Sequence, residues 1–204
     1  MVKRLTPQHI GFIPDGNRRW AEHQGLSRDQ GYRFGIEPGL QLYELCKERK
    51  IPEVSIFGFT QDNTKRPTAQ IDAFRFACVE FALEIMQRGA SLLVVGNDQS
   101  GHFPNELRDF RSRQGSGIKV NFLVNYHWEW DLAGLKTGDV RSHEVSRLDL
   151  IMRWGGGRRL SGFLPVQSVY ADFYVVDDYW PAFKPSHFED ALDWFKHQDQ
   201  TLGG

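Results

Sequence analysis

Cysteine is nearly missing from this chain. Cys46 and Cys78 are the only two, and both fall in helix-like stretches. They read as small buried apolar side chains in a reducing compartment, which excludes a disulfide framework. Long hydrophobic runs are missing as well. No window approaches the ~18 uninterrupted apolar residues of a membrane-spanning helix, and the opening "MVKRLTPQ" lacks the apolar stretch of a signal peptide. The expectation is a cytoplasmic, soluble protein with no stable membrane anchor. Nor is there an excess of either charge: 25 Lys+Arg face 26 Asp+Glu, for a net −1. No global basic field points to nucleic acid, so any anion site has to be local. The sequence also lacks a G-x-x-x-x-G-K-[ST] loop, a G-x-G-x-x-G after a strand, a G-x-S-x-G elbow and a zinc-like Cys/His cluster.

What is present is aromatic. Phe occurs 15 times and Trp 6 times, enough to fill a core or to wall a hydrocarbon pocket, and composition leaves both readings open. Six near-continuous runs of β-formers recur: "HIGFIPD" to Asp15, "EVSIFGFT" to Thr60, "SLLVVGN" to Asn97, "KVNFLVNY" to Tyr126, "LDLIMRW" to Trp154 and "DFYVVD" to Asp177. Such runs suit strands buried on both faces. Between the second and third, Ile71, Phe74, Cys78, Phe81 and Ile85 step by three and four, predicting one apolar helix face that stops at Gly89. "IEPGLQLYELCKERK" predicts an earlier helix, and "PSHFEDALDWFKHQ" a closing one with Ser186 as N-cap and Glu189 three residues on. Residues 127–147 read as a loop or short helix. Strands alternating with helices give an α/β fold: one domain over 1–204 with a mainly parallel six-stranded sheet covered on both sides.

In such a sheet, ligands gather at the carboxyl ends of strands. Asp15-Gly16-Asn17-Arg18-Arg19 follows the first run, Asn63, Lys65 and Arg66 the second, and Arg153, Gly155 to Gly157, Arg158, Arg159 and Ser161 the fifth, while Asp172 opens the sixth. Singly, "DGN" and "GGG" are ordinary turns and Arg-Arg an ordinary solvated pair. Their joint placement at strand ends is what points to a site. Arginine forks match phosphate oxygens, glycines let backbone N–H groups approach an anion, and Asp15 and Asp172 are hard oxygen ligands for magnesium. The residues alone imply a magnesium-dependent enzyme acting on a phosphate or diphosphate.

Several longer motifs sharpen this. "HIGFIPDGNRRWA", "FTQDNTKRP" and "LDLIMRWGGGRRLSGFLPVQSVYADFYVVDDYWPAF" occur in order, and from His9 to Gly204 the chain resembles the cis-prenyltransferase (undecaprenyl diphosphate synthase) family. The resemblance implies a homodimer, a hydrophobic tunnel between helices and sheet, and Mg2+-assisted coupling of prenyl diphosphates. It assigns Asp15 to the metal-bound allylic diphosphate, with Gly16, Asn17, Arg18, Arg19 and Arg28 as its cradle and Trp20 in the same motif. Asn63 and Arg66 stand beside the reacting centre, Arg153, Arg159 and Ser161 at a second diphosphate, and Asp172 where the family has a metal-binding Glu. Catalytic roles thus fall to Asp15, Asn63 and Arg66.

The departures cluster. The family's "RTSGE" is "RWGGG", placing Trp154 and Gly157 where Thr and the acid stand. A family His is Tyr32, the second block's Trp is Thr64, and the C-terminal Arg-x-Gly is Thr201-Leu202-Gly203. These changes surround the acceptor site, while donor-site residues survive. The chain is also short between Tyr126 and Leu148, and Phe74, Phe76 and Phe81 are bulky enough to block a tunnel. A small branch of the family that makes lavandulyl-type skeletons by head-to-middle coupling is similar in its "GY" and in the non-acidic residue after the double Gly. The expectation is a dimethylallyl diphosphate acceptor with a dimethylallyl or geranyl diphosphate donor. A head-to-tail synthase using isopentenyl diphosphate, a cyclase of one prenyl diphosphate and a non-catalytic partner subunit are the alternatives.

Overall fold

The computed structural model describes residues 6–198; Thr201-Leu202-Gly203 lies outside them. All six predicted strands form: β1 (His9–Ile13), β2 (Glu53–Phe57), β3 (Ser91–Val95), β4 (Lys119–Leu123), β5 (Leu150–Arg153) and β6 (Asp172–Val175). They join in one sheet of order β3-β4-β2-β1-β5-β6, every pair parallel. β1 therefore sits between β2 and β5, and the chain leaves the carboxyl ends of these strands in diverging directions. That divergence opens a crevice, the usual ligand position in open α/β sheets.

Among the described residues five α-helices accompany the strands: α1 (Asn17–His23), α2 (Ile36–Glu48), α3 (Thr68–Gln87), α4 (Trp128–Leu132) and α5 (Pro185–Lys196). α2, α3 and α5 bury Leu40, Leu42, Cys46, Cys78, Phe81, Ile85, Phe188 and Leu192 against one sheet face, whose strands contribute Ile10, Phe12, Val54, Ile56, Leu92 and Val120. Full burial of each such side chain is worth ~1.5–3 kcal/mol, which outweighs helix propensity in fixing α3. Gly39 stands inside α2, where glycine weakens a helix. A β-carbon there would meet the Phe81 ring at 2.7 Å, so the small residue is what lets α3 approach.

The sheet is covered on both sides and flanked by helices, as expected, and the opposite face carries less helix. Only short α4, a 3-10 turn (Ala133–Thr137) and irregular chain cover it, burying Ile13, Phe57, Leu123 and Ile151 against Tyr126, Leu148, Phe163 and Leu164. Two local expectations change. α1 was not anticipated, because seven residues carry too little periodicity. α5 begins at Pro185 after an N-cap Lys184 rather than at Ser186; His187 Nδ1 accepts the Lys184 backbone N–H at 3.3 Å. Both cysteines are buried and unbonded, as expected.

Candidate active site

The β1 turn is built so that Asp15 faces the crevice. Gly16 adopts φ 110°, and a β-carbon there would strike Tyr179 at 2.8 Å, so only glycine fits comfortably. The Asp15 carbonyl accepts the Trp180 N–H at 3.0 Å, pinning the turn from beneath. From β5, Arg153 reaches back: Nη2 donates to Asp15 Oδ2 at 2.7 Å, and Nη1 donates to Ser161 Oγ at 2.9 Å and to the Arg159 carbonyl. Arg19 completes the pairing, with Nη2 3.2 Å from Asp15 Oδ1 and Nη1 donating to the Gly155 carbonyl. Ser161 holds the left-handed region at φ 51°, a strain of the kind found at ligand clamps.

These groups line a cleft of about 460 Å3, within the ~300–1,000 Å3 usual for ligand pockets. Six arginines line it (Arg18, Arg19, Arg28, Arg66, Arg153 and Arg159) against three acids, Asp15, Glu22 and Asp62. Arg153 is buried yet its Nε has no partner among the described residues, and the buried Asn17 Oδ1 has none either. Unsatisfied buried polar atoms beside a cationic cleft suit a polar ligand that completes them. Gly157 supports Arg153 from behind: a β-carbon there would meet the guanidinium Nε at 2.6 Å.

An apolar compartment of about 60 Å3 adjoins the cleft, lined by Ile36, Gly39, Ile56, Ala77, Cys78 and Phe81 among others. Tyr32 and Phe74 border both spaces. Their rings stack at 4.5 Å with 7° between planes, and Arg66 Nη1 donates to the Tyr32 hydroxyl at 2.7 Å. Burial pushes the Tyr32 phenol above its ordinary value, against the lowering by Arg66 and Arg18. Burial likewise lowers Arg66. Asn63 has a structural duty, since its Oδ1 accepts the Thr60 N–H at 2.9 Å.

The structure thus brings Asp15, Gly16, Asn17, Arg18, Arg19, Arg28, Tyr32, Asn63, Arg66, Phe74, Arg153, Arg159 and Ser161 together. Five expected site residues do not line the cleft: Gly157 lies against Arg153, and the other four are placed elsewhere. Trp154 is fully buried on the helix side, 4.8 Å from the Trp180 ring. Because side chains alternate along a strand and Arg153 faces the cleft, its neighbour faces away. Asp172 pairs with Leu150 at the amino end of β5, three residue steps or ~10 Å of strand below the Asp15 end, beside Asp149, whose carbonyl accepts its N–H. Trp20 packs on Phe34 at 4.8 Å, and the Thr64 hydroxyl donates to the Gln61 carbonyl at 2.7 Å. Phe76 is exposed and blocks nothing. Sequence reasoning passed over Phe57, Gly58, Thr60 and Asp62, which line the cleft; their position at the β2 end was the available signal.

Asp15 is the one residue of the expected metal pair in the cleft. Among the described residues no group of three His, Cys, Asp or Glu could hold a metal by itself. Magnesium often takes one or two carboxylates and completes its shell with substrate phosphates and water, so this donor set fits an ion shared with a phosphorylated ligand.

Fold and site define a parallel-sheet α/β domain whose cationic cleft opens onto a small apolar compartment. Residues 13–203 match the family model described as putative undecaprenyl diphosphate synthase, and the chain belongs to this prenyltransferase family. It is 28% identical to a ditrans,polycis-undecaprenyl-diphosphate synthase of Photorhabdus laumondii, over 100% of this chain and 92% of that protein. It is 26% identical to an isoprenyl transferase of Bacillus cereus, over 99% and 90%. Among solved structures, lavandulyl diphosphate synthase from Lavandula x intermedia, in complex with dimethylallyl diphosphate, superposes with TM-score 0.82 at 20% identity, covering 98% of this chain and 99% of that one. A probable undecaprenyl diphosphate synthase from Campylobacter jejuni gives 0.74 at 22%, covering 97% and 99%. At these identities the likeness establishes the fold. No helix of the described residues is long and apolar enough to cross a membrane.

Proposed function

We propose that this chain joins an allylic donor, dimethylallyl or geranyl diphosphate, to dimethylallyl diphosphate by head-to-middle condensation, giving a branched lavandulyl-type diphosphate. The observation that carries this reading is the asymmetry of the cleft. The donor-side set Asp15, Arg18 and Arg19 lines it, while behind Arg153, Gly157, in place of the family acid, lies against the guanidinium. An acceptor site without that carboxylate suits a different acceptor, or a different pose, from isopentenyl diphosphate. The Lavandula enzyme of similar fold carries dimethylallyl diphosphate, the substrate proposed here.

Arg18, Arg19 and Arg28 bind the donor diphosphate, and Arg153, Arg159 and Ser161 bind that of the acceptor. Donors fixed in place before ionisation stabilise charge growing on the departing oxygens without reorganisation. Mg2+, when bound with substrate, would be held by Asp15 and would neutralise part of that charge. Tyr32 stays protonated and already accepts from Arg66, and Asn63 is an amide engaged with Thr60, so neither is the base. The proton lost on coupling goes to the departed diphosphate. A homodimer is part of the proposal, and the exposed apolar Leu135, Val166, Val169 and Tyr170 support it; sedimentation equilibrium tests it.

The deciding experiment is mass spectrometry of dephosphorylated products. The protein is given magnesium with dimethylallyl diphosphate alone, with added geranyl diphosphate, or with added isopentenyl diphosphate. A branched alcohol formed without isopentenyl diphosphate is the expected result. A linear product that requires it identifies a head-to-tail synthase, and a cyclic product of one prenyl unit a cyclase.

A further inference from the structure

The boundary between cleft and apolar compartment consists of Pro14, Asn17, Tyr32, Phe57, Gly58 and Phe74, which line both spaces. A prenyl diphosphate with its phosphates among the arginines and its hydrocarbon in the compartment has to cross this border. Phe74 is held there on two sides, stacked on Tyr32 at 4.5 Å and set edge-on to the buried Phe59 at 5.6 Å. Tyr32 is held by Arg66, whose guanidinium lies 6.0 Å from the Tyr32 centroid and 5.9 Å from that of Phe74. The narrowing is therefore tied to a cation of the cleft. Below it, Phe81 closes the floor, 5.1 Å from Phe122 and against Gly39.

Volume decides what fits. The compartment, at about 60 Å3, is far below the ~300–1,000 Å3 of pockets that take drug-sized ligands, which favours a single five-carbon unit over a ten-carbon one.

We propose that the Tyr32–Phe74 stack, held by Arg66, is the specificity determinant that restricts the donor to a single five-carbon unit, so that dimethylallyl diphosphate serves as donor as well as acceptor and geranyl diphosphate is excluded. This rests on the function proposed above and narrows it. Arg66 carries the further consequence that phosphate binding and tail selection are linked: a diphosphate that draws Arg66 into the cleft releases the Tyr32 hydroxyl.

The test compares kcat/KM for dimethylallyl and geranyl diphosphates as donors, together with calorimetric binding of their inert thiolodiphosphate analogues. The wild-type chain, Phe74→Ala, Phe74→Leu and Tyr32→Phe are used, each checked for folding by circular dichroism. Five carbons without a place should give wild type a preference of about 100-fold or more for dimethylallyl, given that a single methylene is worth ~10–200-fold in a fitted pocket. Phe74→Ala should narrow that ratio at least about tenfold, Phe74→Leu less, and Tyr32→Phe by a few-fold through loss of the Arg66 hydrogen bond. Equal handling of both donors by wild type, or an unmoved ratio in both Phe74 variants, overturns the proposal while leaving the coupling function standing. Failure of wild type to bind either analogue removes the functional reading and this inference with it.

Discussion

The two ends of the sheet carry polar side chains on the same strands, β1 and β2, and treat them in opposite ways. At the amino end, His9 Nε2 lies 2.8 Å from Ser55 Oγ. Asn121 Nδ2 donates to Glu53 Oε1 at 2.7 Å, Ser146 Oγ to Glu53 Oε2 at 2.7 Å, and Arg113 Nη2 to Asn121 Oδ1 at 2.6 Å. His9, Glu53, Ser55 and Asn121 are all buried. A histidine on a serine beside a carboxylate resembles nucleophile chemistry, but His9, Ser55 and Glu53 are buried with their polar groups engaged, and exposure is confined to Ser146 and part of Arg113 at the rim. The use of this network is to fix register, because a one-residue slip of β1, β2 or β4 would strand every member. At the carboxyl end the cations outnumber the acids, the cleft is open, and Arg153 Nε and Asn17 Oδ1 lack partners. A polar cluster marks a site when it is accessible and unfinished, and marks structure when it is sealed and complete.

The largest expected effect lies at the unfinished end. Asp15→Ala should lower kcat by about 10^3-fold, the scale of losing a preorganised electrostatic group. The melting temperature should move only slightly, since Asp15 is half-buried and the Arg153 side chain keeps its bonds to Ser161 and the Arg159 carbonyl. Steady-state kinetics with a thermal melt on the same preparation reads both. Surviving activity would break the assignment of the diphosphate to this end.

Glu53→Ala is the mirror experiment. It leaves Asn121, Ser146 and His9 short of a buried partner, at a cost of about 2–4 kcal/mol. For a domain of this size that is a fall of roughly 5–15 °C in Tm, with kcat preserved below the transition. Lost activity at unchanged Tm would mean the sealed end communicates with the cleft.

The same contrast explains what could be read from the chain beforehand. Parallel strands are written as apolar runs, so all six were legible, even the half-buried edge strand β6, and the stripe of α3 was legible because it faces a core. Arg153 and Trp154 show the limit. Both stood in a site motif, and only the period-two alternation separates the one facing Asp15 from the one under Trp180. Asp172 shows another: as the first residue of a parallel strand it lies at the amino end, as its pairing with Leu150 shows, and what set it beside the metal was the family motif, not the strand pattern. The sealed network was invisible because its members lie from 9 to 146 in the sequence with no local pattern. Phe76 and Phe74 look alike on paper; helix phase puts one in solvent and the other against Tyr32.

A smaller effect sharpens the comparison inside the cleft. At Gly157→Ala the new β-carbon would sit 2.6 Å from Arg153 Nε and 2.9 Å from Nη2. Arg153 has to shift, and with it the hold on Asp15. A displaced positioning group of this kind should lower kcat/KM by about tenfold. A crystal structure showing Arg153 unmoved, or kinetics equal to wild type, would make Gly157 a turn residue and nothing more.

The gentlest test is pH. Burial lowers the His9 pKa below its ordinary 6.5, against the pull of Glu53. Burial alone would raise Glu53, but His9 and the hydrogen bonds from Ser146 and Asn121 hold it below 4.5. Both shifts have the same consequence. As pH falls below 6.5 the unfolded chain protonates its histidine while the folded chain keeps His9 neutral, so the unfolded state binds more protons and stability declines. Below 4.5 the depressed Glu53 adds a second decline of the same sign. Denaturant midpoints between pH 7.5 and 5 should therefore fall gradually and fall less in His9→Asn. A profile that rises toward pH 5 in the parent chain would mean that His9 is charged in the fold and that the amino end is held by ion pairing, and a flat one would mean that His9 titrates alike in the folded and unfolded chain.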